Sequence, residues 1–291
     1  MSSARRVCLD DPLYPAALKR LASPPPELWM LGAARALRAD ARAVAIVGAR
    51  GASLQAVTLA RALAAELARD HVIISGGAIG IDGAAHLGAL DARGETVVVL
   101  GSGIDVYYPA RHVTLFERVV ACGAGLLLSC FPPSSEPKRW TFPARNALIA
   151  ALSCCVVVVE AGSRSGSLQT ARLARELAVP VAAMVGSAGT AQLIAGGATP
   201  VACADDVRAL LAGMPANARA PHQRAAQDEA LEAEARELLS ALRASQGARR
   251  VSELAVVLGI ESTRAASLLL RLELAGYVEA LAGARYRAVQ R

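Results

Sequence analysis

The chain has 291 residues, 54% of them hydrophobic, with 31 Lys and Arg against 25 Asp and Glu for a formal net charge of +6. That is enough apolar material for one substantial core and a smaller second one, which excludes a disordered chain. The positive excess is spread thinly and forms no basic tail, so contact with a polyanion has to come from a local patch.

No apolar run is long enough to span a bilayer, and Arg5-Arg6 is followed by Val7-Cys8-Leu9-Asp10-Asp11 rather than a leader-like stretch. The expected location is therefore the cytoplasm. Cys8, Cys122, Cys130, Cys154, Cys155 and Cys203 show no C-x-x-C and no histidine at ligand spacing, so they read as reduced thiols. Neither a metal nor a cofactor is expected.

Residues 1–40 hold Pro24-Pro25-Pro26 and Leu28-Trp29-Met30-Leu31-Gly32, and read as an N-terminal helical segment with a capping strand, too poor in apolar surface to fold alone. Over 41–212, β-branched runs near 44–47, 72–75, 96–100, 125–129, 154–160 and 180–185, with a short last one at 200–203, alternate with helical stretches. This alternation predicts an α/β unit, a Rossmann-like parallel sheet with helices on both faces. Residues 213–226, rich in Gly, Pro and Ala without an apolar period, read as a linker. Over 227–291, three helical patterns (227–244, 251–258, 262–275) precede two short strand-like runs around Gly283, the pattern of a winged-helix domain. Arg264 and Arg271 are sparse for a helix that reads a major groove, which leaves docking and DNA contact both open.

Four turns follow strands and carry the candidate chemistry. Gly48-Ala49-Arg50 leads to Ser53, a helix cap, so the amides there are expected to attract an anion and Arg50 to offer a fork to phosphate. Ser75-Gly76-Gly77 precedes Asp82 and His86, four apart on the next helix; an acid–base pair is one reading, and an aspartate that caps the helix is the favoured one. Gly101-Ser102-Gly103 and Ser165-Gly166 end later strands, and in a parallel sheet all four turns share one carboxyl-end edge. Lys138-Arg139-Trp140-Thr141-Phe142-Pro143-Ala144-Arg145-Asn146 is where bases and aromatics interleave, as suits a single nucleic-acid strand, although both rings also fit packing under a loop.

The ordered set from Ala45 to Arg50, Ser75 to Asp82, His86, Gly101 to Pro109, Phe142 to Asn146, Glu160-Ala161, Ser165-Gly166-Ser167 and Gly189-Thr190 resembles the DprA/Smf family of DNA-processing proteins. Tyr14-Pro15, the Pro26 to Gly32 run and Leu269 to Val278 fit as well, so the resemblance covers nearly the whole chain. It implies a non-catalytic protein that binds single-stranded DNA taken up in natural transformation, protects it and helps load the RecA recombinase, as a homodimer joined through the Rossmann-like domain. It also implies DNA contacts at Arg50, Ser75, Gly76, Gly77, Gly101, Ser102, Gly103, Lys138, Arg139, Arg145, Asn146, Ser165 and Gly166.

This chain departs from the family pattern at five positions. Ile79 and Ala147 stand where basic residues are usual, and Cys130, Val185 and Ala191 replace an acidic residue, a proline and an asparagine. Two lost cations weaken phosphate neutralisation, with Arg111 and Arg164 as relocated candidates. The rival readings are a phosphoribohydrolase-like nucleotide enzyme, a dinucleotide-dependent oxidoreductase and a ligand-sensing winged-helix regulator. The first lacks a glutamate after Gly166, where Gln169 and Thr170 stand; the second lacks the full G-x-G-x-x-G spacing after the first strand.

Overall fold

The computed structural model describes residues 4–33, 37, 42–213, 234–245, 247–274, 278–281 and 285–288. The chain divides into two compact units, 1–218 and 219–291.

In the first unit, β1 (Arg5–Cys8) and β2 (Glu27–Gly32) flank a 3-10 turn at Ala16–Arg20. Then follow β3 (Ala43–Val47), α1 (Leu54–Leu67), β4 (Val72–Ser75), α2 (Ile81–Asp91), β5 (Thr96–Val99), α3 (Val113–Ala121), β6 (Gly125–Ser129) and α4 (Thr141–Leu152). The unit closes with β7 (Cys155–Val158), α5 (Gly166–Glu176), β8 (Val181–Met184), α6 (Ala188–Ala195), β9 (Thr199–Val201) and α7 (Ala204–Leu211). Among the described residues no helix is long and apolar enough to cross a membrane.

The strands form one nine-stranded sheet in the order β1-β2-β6-β5-β4-β3-β7-β8-β9. From β6 to β9 all pairings are parallel. Their residues alternate between two cores: Ala43, Ala45 and Val47 of β3 face one with α4 and α5, while Val44 and Ile46 face the other with α1 and α2. A strand buried on both faces has no use for polar residues, which is why these runs are continuously apolar, and their β-branched side chains suit the pleat. The chain winds from β3 out through β4, β5 and β6, then returns to lay β7 on the other side of β3. The carboxyl ends of β3 and β7 therefore diverge into a crevice at the point where the strand order reverses.

The N-terminal forty residues differ from the helical segment expected. Among their described residues the helical positions are the 3-10 turn at Ala16–Arg20 and Leu37, and β1 and β2 extend the sheet, β2 pairing antiparallel with β6. The reason is β6 itself, whose Leu126 and Leu128 face one core and Leu127 another; β2 covers that edge, with Leu28 and Met30 on the first side and Trp29 on the second.

In the second unit, α8 (described over 234–244) precedes β10 (Arg249–Arg250), α9 (Val251–Leu258), α10 (Ser262–Leu274), β11 (Val278–Leu281) and β12 (Arg285–Ala288). The strands pair antiparallel in the order β10-β12-β11, and Leu238, Leu242, Leu254, Leu268, Leu269 and Val278 form a separate core, giving the winged-helix arrangement. The expected linker at 213–226, Gly213 excepted, and the first turns of the expected helix at 227–244 lie outside the described residues.

Phe116 is the largest fully buried side chain of the first unit, packed with Val98, Leu100 and Leu127 and edge-on to Tyr107 at 5.7 Å. Replacing Phe116 by Ala is expected to lower stability by about 3–5 kcal/mol, read as a shifted denaturant midpoint.

Candidate functional site

The crevice between the ends of β3 and β7 is a groove of about 600 Å³, lined by Gly48, Ala49 and Arg50 on one side and Gly162 to Thr170 on the other, with Asp82, Phe142, Arg145 and Asn146 between. The sheet thus brings together Arg50, Arg145, Asn146, Ser165 and Gly166 among the residues expected from sequence. Ser75, Gly76, Gly77, Gly101, Ser102, Gly103, Lys138 and Arg139 are not part of its lining.

Two of the turns that read as anion sites, the start of α1 and the turn before α2, already hold carboxylates of the chain itself. At the start of α1, Ser53 accepts the Ala56 amide and donates its hydroxyl to Glu160 at 2.6 Å, while the Ser53 amide donates to the other Glu160 oxygen at 3.0 Å. Glu160, at the end of β7, is therefore the carboxylate that α1 attracts. In the turn before α2, the Gly76 and Ala78 amides donate to Asp82 at 3.1 and 3.4 Å. The Ser75 to Ala78 turn is a nest filled by that carboxylate rather than one left open for phosphate.

Gly48 has no side chain because Ile81 and the Glu160 carbonyl lie where one would go, so it serves the packing of α2. Gly76 is bare for a different reason: the Arg145 guanidinium lies against it. Arg145 Nη1 donates to the Gly76 carbonyl and, at 2.9 Å, to that of Val99, tying the ends of β4 and β5 together. Only 5% exposed, it floors the groove and is at the same time a core contact. Burial pushes the Arg145 pKa down, opposed by the Asp82 charge; burial pushes the Asp82 carboxyl up, opposed by Arg145 and by the amides of Ala78 and Gly76.

The third turn also faces inward. Ser75 donates to the Ile46 carbonyl at 2.6 Å, Ser102 to Val106 at 2.6 Å, and Ser129 to the Ser102 carbonyl at 2.6 Å. Gly101 is backed by Phe142, Gly77 by Phe116, and Gly103 by the backbone of residues 132–135. Ser75 and Ser102 therefore brace the edge through their hydroxyls, and Gly77, Gly101 and Gly103 through the close packing their missing side chains allow.

Asp82 and His86 are not an acid–base pair. His86 Nδ1 lies 2.8 Å from the Thr96 hydroxyl, which itself donates to the Ile73 carbonyl at 2.9 Å, so the imidazole is the donor at Nδ1 and Nε2 carries the lone pair. Burial, reinforced by the charges of His112 and Arg145, pushes the His86 pKa down to about 3. Asp82 lies in the first turn of α2, where its charge suits the helix dipole, but its hydrogen bonds go to the turn before the helix rather than to a cap.

The groove wall on the β7 side remains open. Ser165 caps α5 through the Ser167 amide at 3.4 Å, and side chains added at Gly162 or Gly166 would meet open space. Arg50 and Arg164 are exposed at the rim. Arg50 lies over the Phe142 ring, 5.0 Å from its centroid, and Tyr108 leans on that ring at 5.8 Å. Lys138, Arg139 and Trp140 are exposed on the turn that starts α4. Ile79 and Ala147 are half-buried, Val185 and Ala191 exposed, and burial pushes the Cys130 thiol up to about 11. In the second unit, Arg264 donates to Glu234 at 2.9 Å, so that cation of α10 has a partner; the Arg271 side chain lies outside the described residues.

The family described as DNA recombination-mediator protein A matches residues 5–212, and the DprA winged helix domain matches residues 221–284. A Mycobacterium tuberculosis protein carrying the DprA name is 42% identical over 271 residues, 90% of this chain and 68% of that one. Among solved structures, the Streptococcus pneumoniae DNA processing protein A aligns with a TM-score of 0.67 at 36% identity, over 70% of this chain and 73% of that one. The Helicobacter pylori protein, solved to explain a single-stranded DNA binding mode, aligns with a TM-score of 0.64 at 30% identity, over 74% of this chain and all of that one.

Two outcomes separate the floor of the groove from its rim. Arg145→Ala strands a buried carboxylate and two carbonyls and is expected to cost about 3–5 kcal/mol in denaturant unfolding, whereas Arg50→Ala leaves the midpoint in place. The His86 pKa is depressed in the native state, so its contribution to stability is complete above the unfolded value near 6.5 and is lost as pH falls from there toward about 3. Unfolding free energy measured against pH is expected to fall by up to about 1.4 kcal/mol per unit in that window on account of this residue. The His86→Asn variant, which keeps a donor for Thr96, should show the shallower slope.

Proposed function

We propose that this chain, which belongs to the DprA/Smf family of DNA-processing proteins, binds single-stranded DNA in the groove between the ends of β3 and β7. The observation that carries the reading is the pairing of an open α5 start with Arg50 held over Phe142: a helix N-terminus and a guanidinium for phosphates, with an aromatic ring beside them. A single strand presents both phosphates and unpaired base faces to such a groove, whereas a duplex hides its base faces in the stack. The single-stranded DNA binding named for the Helicobacter pylori relative supports the same assignment.

The chemistry of the groove favours holding a phosphate chain over cleaving it. Asp82 spends its carboxylate on Gly76 and Ala78, Glu160 on Ser53, and His86 its proton on Thr96. Gln169 and Thr170 line the groove where a phosphoribohydrolase-like site needs a carboxylate. On this reading the protein is not an enzyme. It protects the strand taken up in transformation and helps load the RecA recombinase in the cytoplasm, as a homodimer joined through the α/β unit. The tie of Arg264 to Glu234 argues against α10 as the main DNA reader, and so against the regulator reading.

Fluorescence anisotropy with labelled oligonucleotides at several salt concentrations tests this assignment. Tighter binding to the single strand than to a duplex of equal length is expected, with affinity falling as salt rises and a slope of roughly 0.7 per phosphate neutralised. Arg50→Ala should weaken binding and make that slope shallower. Duplex bound as tightly as single strand would refute the assignment.

A further inference from the structure

Trp140 takes no part in lining the groove, and its packing does not explain its position. Its side chain is 60% exposed, although an indole is among the side chains that gain most from burial; it is the largest exposed apolar side chain among the described residues. Yet it is held firmly. Buried Phe131 meets it at 5.7 Å with ring planes 76° apart, and the Trp140 carbonyl accepts the Ala144 amide at 3.4 Å in the first turn of α4.

The turn that carries it is closed on itself. The buried Thr141 hydroxyl accepts the Lys138 amide at 3.1 Å and donates to the Lys138 carbonyl at 2.8 Å, and the Thr141 amide donates to that same carbonyl at 3.0 Å. These bonds fix the backbone of residues 138–141, so Lys138, Arg139 and Trp140 are displayed as a set: two exposed cations beside an exposed ring. Because β6 ends at the carboxyl edge of the sheet, α4 starts there too, on the edge that carries the groove. Phe142, two residues on, belongs to the groove, with Arg50 over its ring.

We propose that Trp140 is a stacking platform for a base of the single strand outside the groove, with Lys138 and Arg139 on the flanking phosphates. This rests on the single-strand reading and adds a position to it. An ordered ring loses little conformational freedom when a base lies on it, and every base offers a π face, so the platform adds affinity without sequence preference.

Trp140 and buried Trp29 are the two tryptophans, so intrinsic fluorescence isolates the platform while labelled-strand anisotropy reports binding. Oligothymidylate is expected to quench the emission of the full chain as it binds. Trp140→Ala should abolish the quench and weaken binding on the order of tenfold, with the salt slope unchanged, because no phosphate contact is lost. Trp140→Phe should restore most of the affinity, which a merely structural role for the indole would not require; the Trp29 emission of both variants reports an intact core. Binding by anisotropy with unquenched emission, or with Trp140→Ala as tight as the parent chain, overturns the platform and leaves the groove standing. Absence of binding by the parent chain overturns both.

Discussion

The carboxyl edge of the sheet depends on one buried arrangement, the carboxylate of Asp82 and the guanidinium of Arg145 meeting at Gly76. Each ion costs several kcal/mol to take out of water, and the cost is offset only when its remaining donors or acceptors are satisfied. Gly76 serves both: its amide goes to Asp82, its carbonyl to Arg145, and its missing side chain makes room for the guanidinium. The Val99 carbonyl adds a second acceptor from β5, while Arg145 Nε has no hydrogen-bond partner among the described residues. With β4, β5, α2 and α4 pinned at one point, the neighbouring turns have little freedom, and Gly80 at φ +85° brings the start of α2 against Ala49 and Arg50.

The same arrangement decides where an external anion goes. A parallel sheet delivers several helix starts to one edge, and each is a site for negative charge. Here Asp82 fills the turn before α2, the first α2 amide goes to the Ala49 carbonyl, and Glu160 fills the start of α1. What faces the groove unfilled is the α5 start, with Gly162 and Gly166 bare to solvent, opposite Arg50. The internal carboxylates thus build the edge, and on the proposed reading they leave the phosphate chain to the point where the strand order reverses.

The α/β unit was legible in the sequence because a strand covered on both faces is predominantly apolar, and six such runs, β3 to β8, announce themselves. β1 and β2 were not, since Leu28-Trp29-Met30 serves two cores at once and its pairing partner β6 lies about a hundred residues away. The site was half legible. Arg50, Asn146, Ser165 and Gly166 meet as their turns imply. The roles of Arg145 and Glu160 were hidden, because their partners lie 46 to 107 residues distant and a buried arginine looks like any other in sequence. A glycine in a turn is equally silent on whether a ligand or a side chain of the chain itself occupies the space it leaves; at Gly76, Gly77 and Gly101 it is the chain itself.

These placements shift the balance of forces available for holding DNA. The Arg145 charge faces that of Asp82, and Ile79 and Ala147 are apolar, so the free cations of the groove are Arg50 and Arg164 at its rim. Electrostatic attraction to phosphate scales with the number of contacts and fades with salt, so a groove with few cations binds weakly unless another force adds to it. On the proposed single-strand reading, stacking is that force, since it is carried by apolar surface and is little screened. In a chain with 3% aromatic residues, Tyr108, Trp140 and Phe142 all lie beside the starts of the same few turns, Phe142 ordered by Arg50 and Trp140 by Phe131. On that reading the scarcity of cations and the gathering of rings belong together, with base faces carrying part of the affinity that phosphate contacts would otherwise supply.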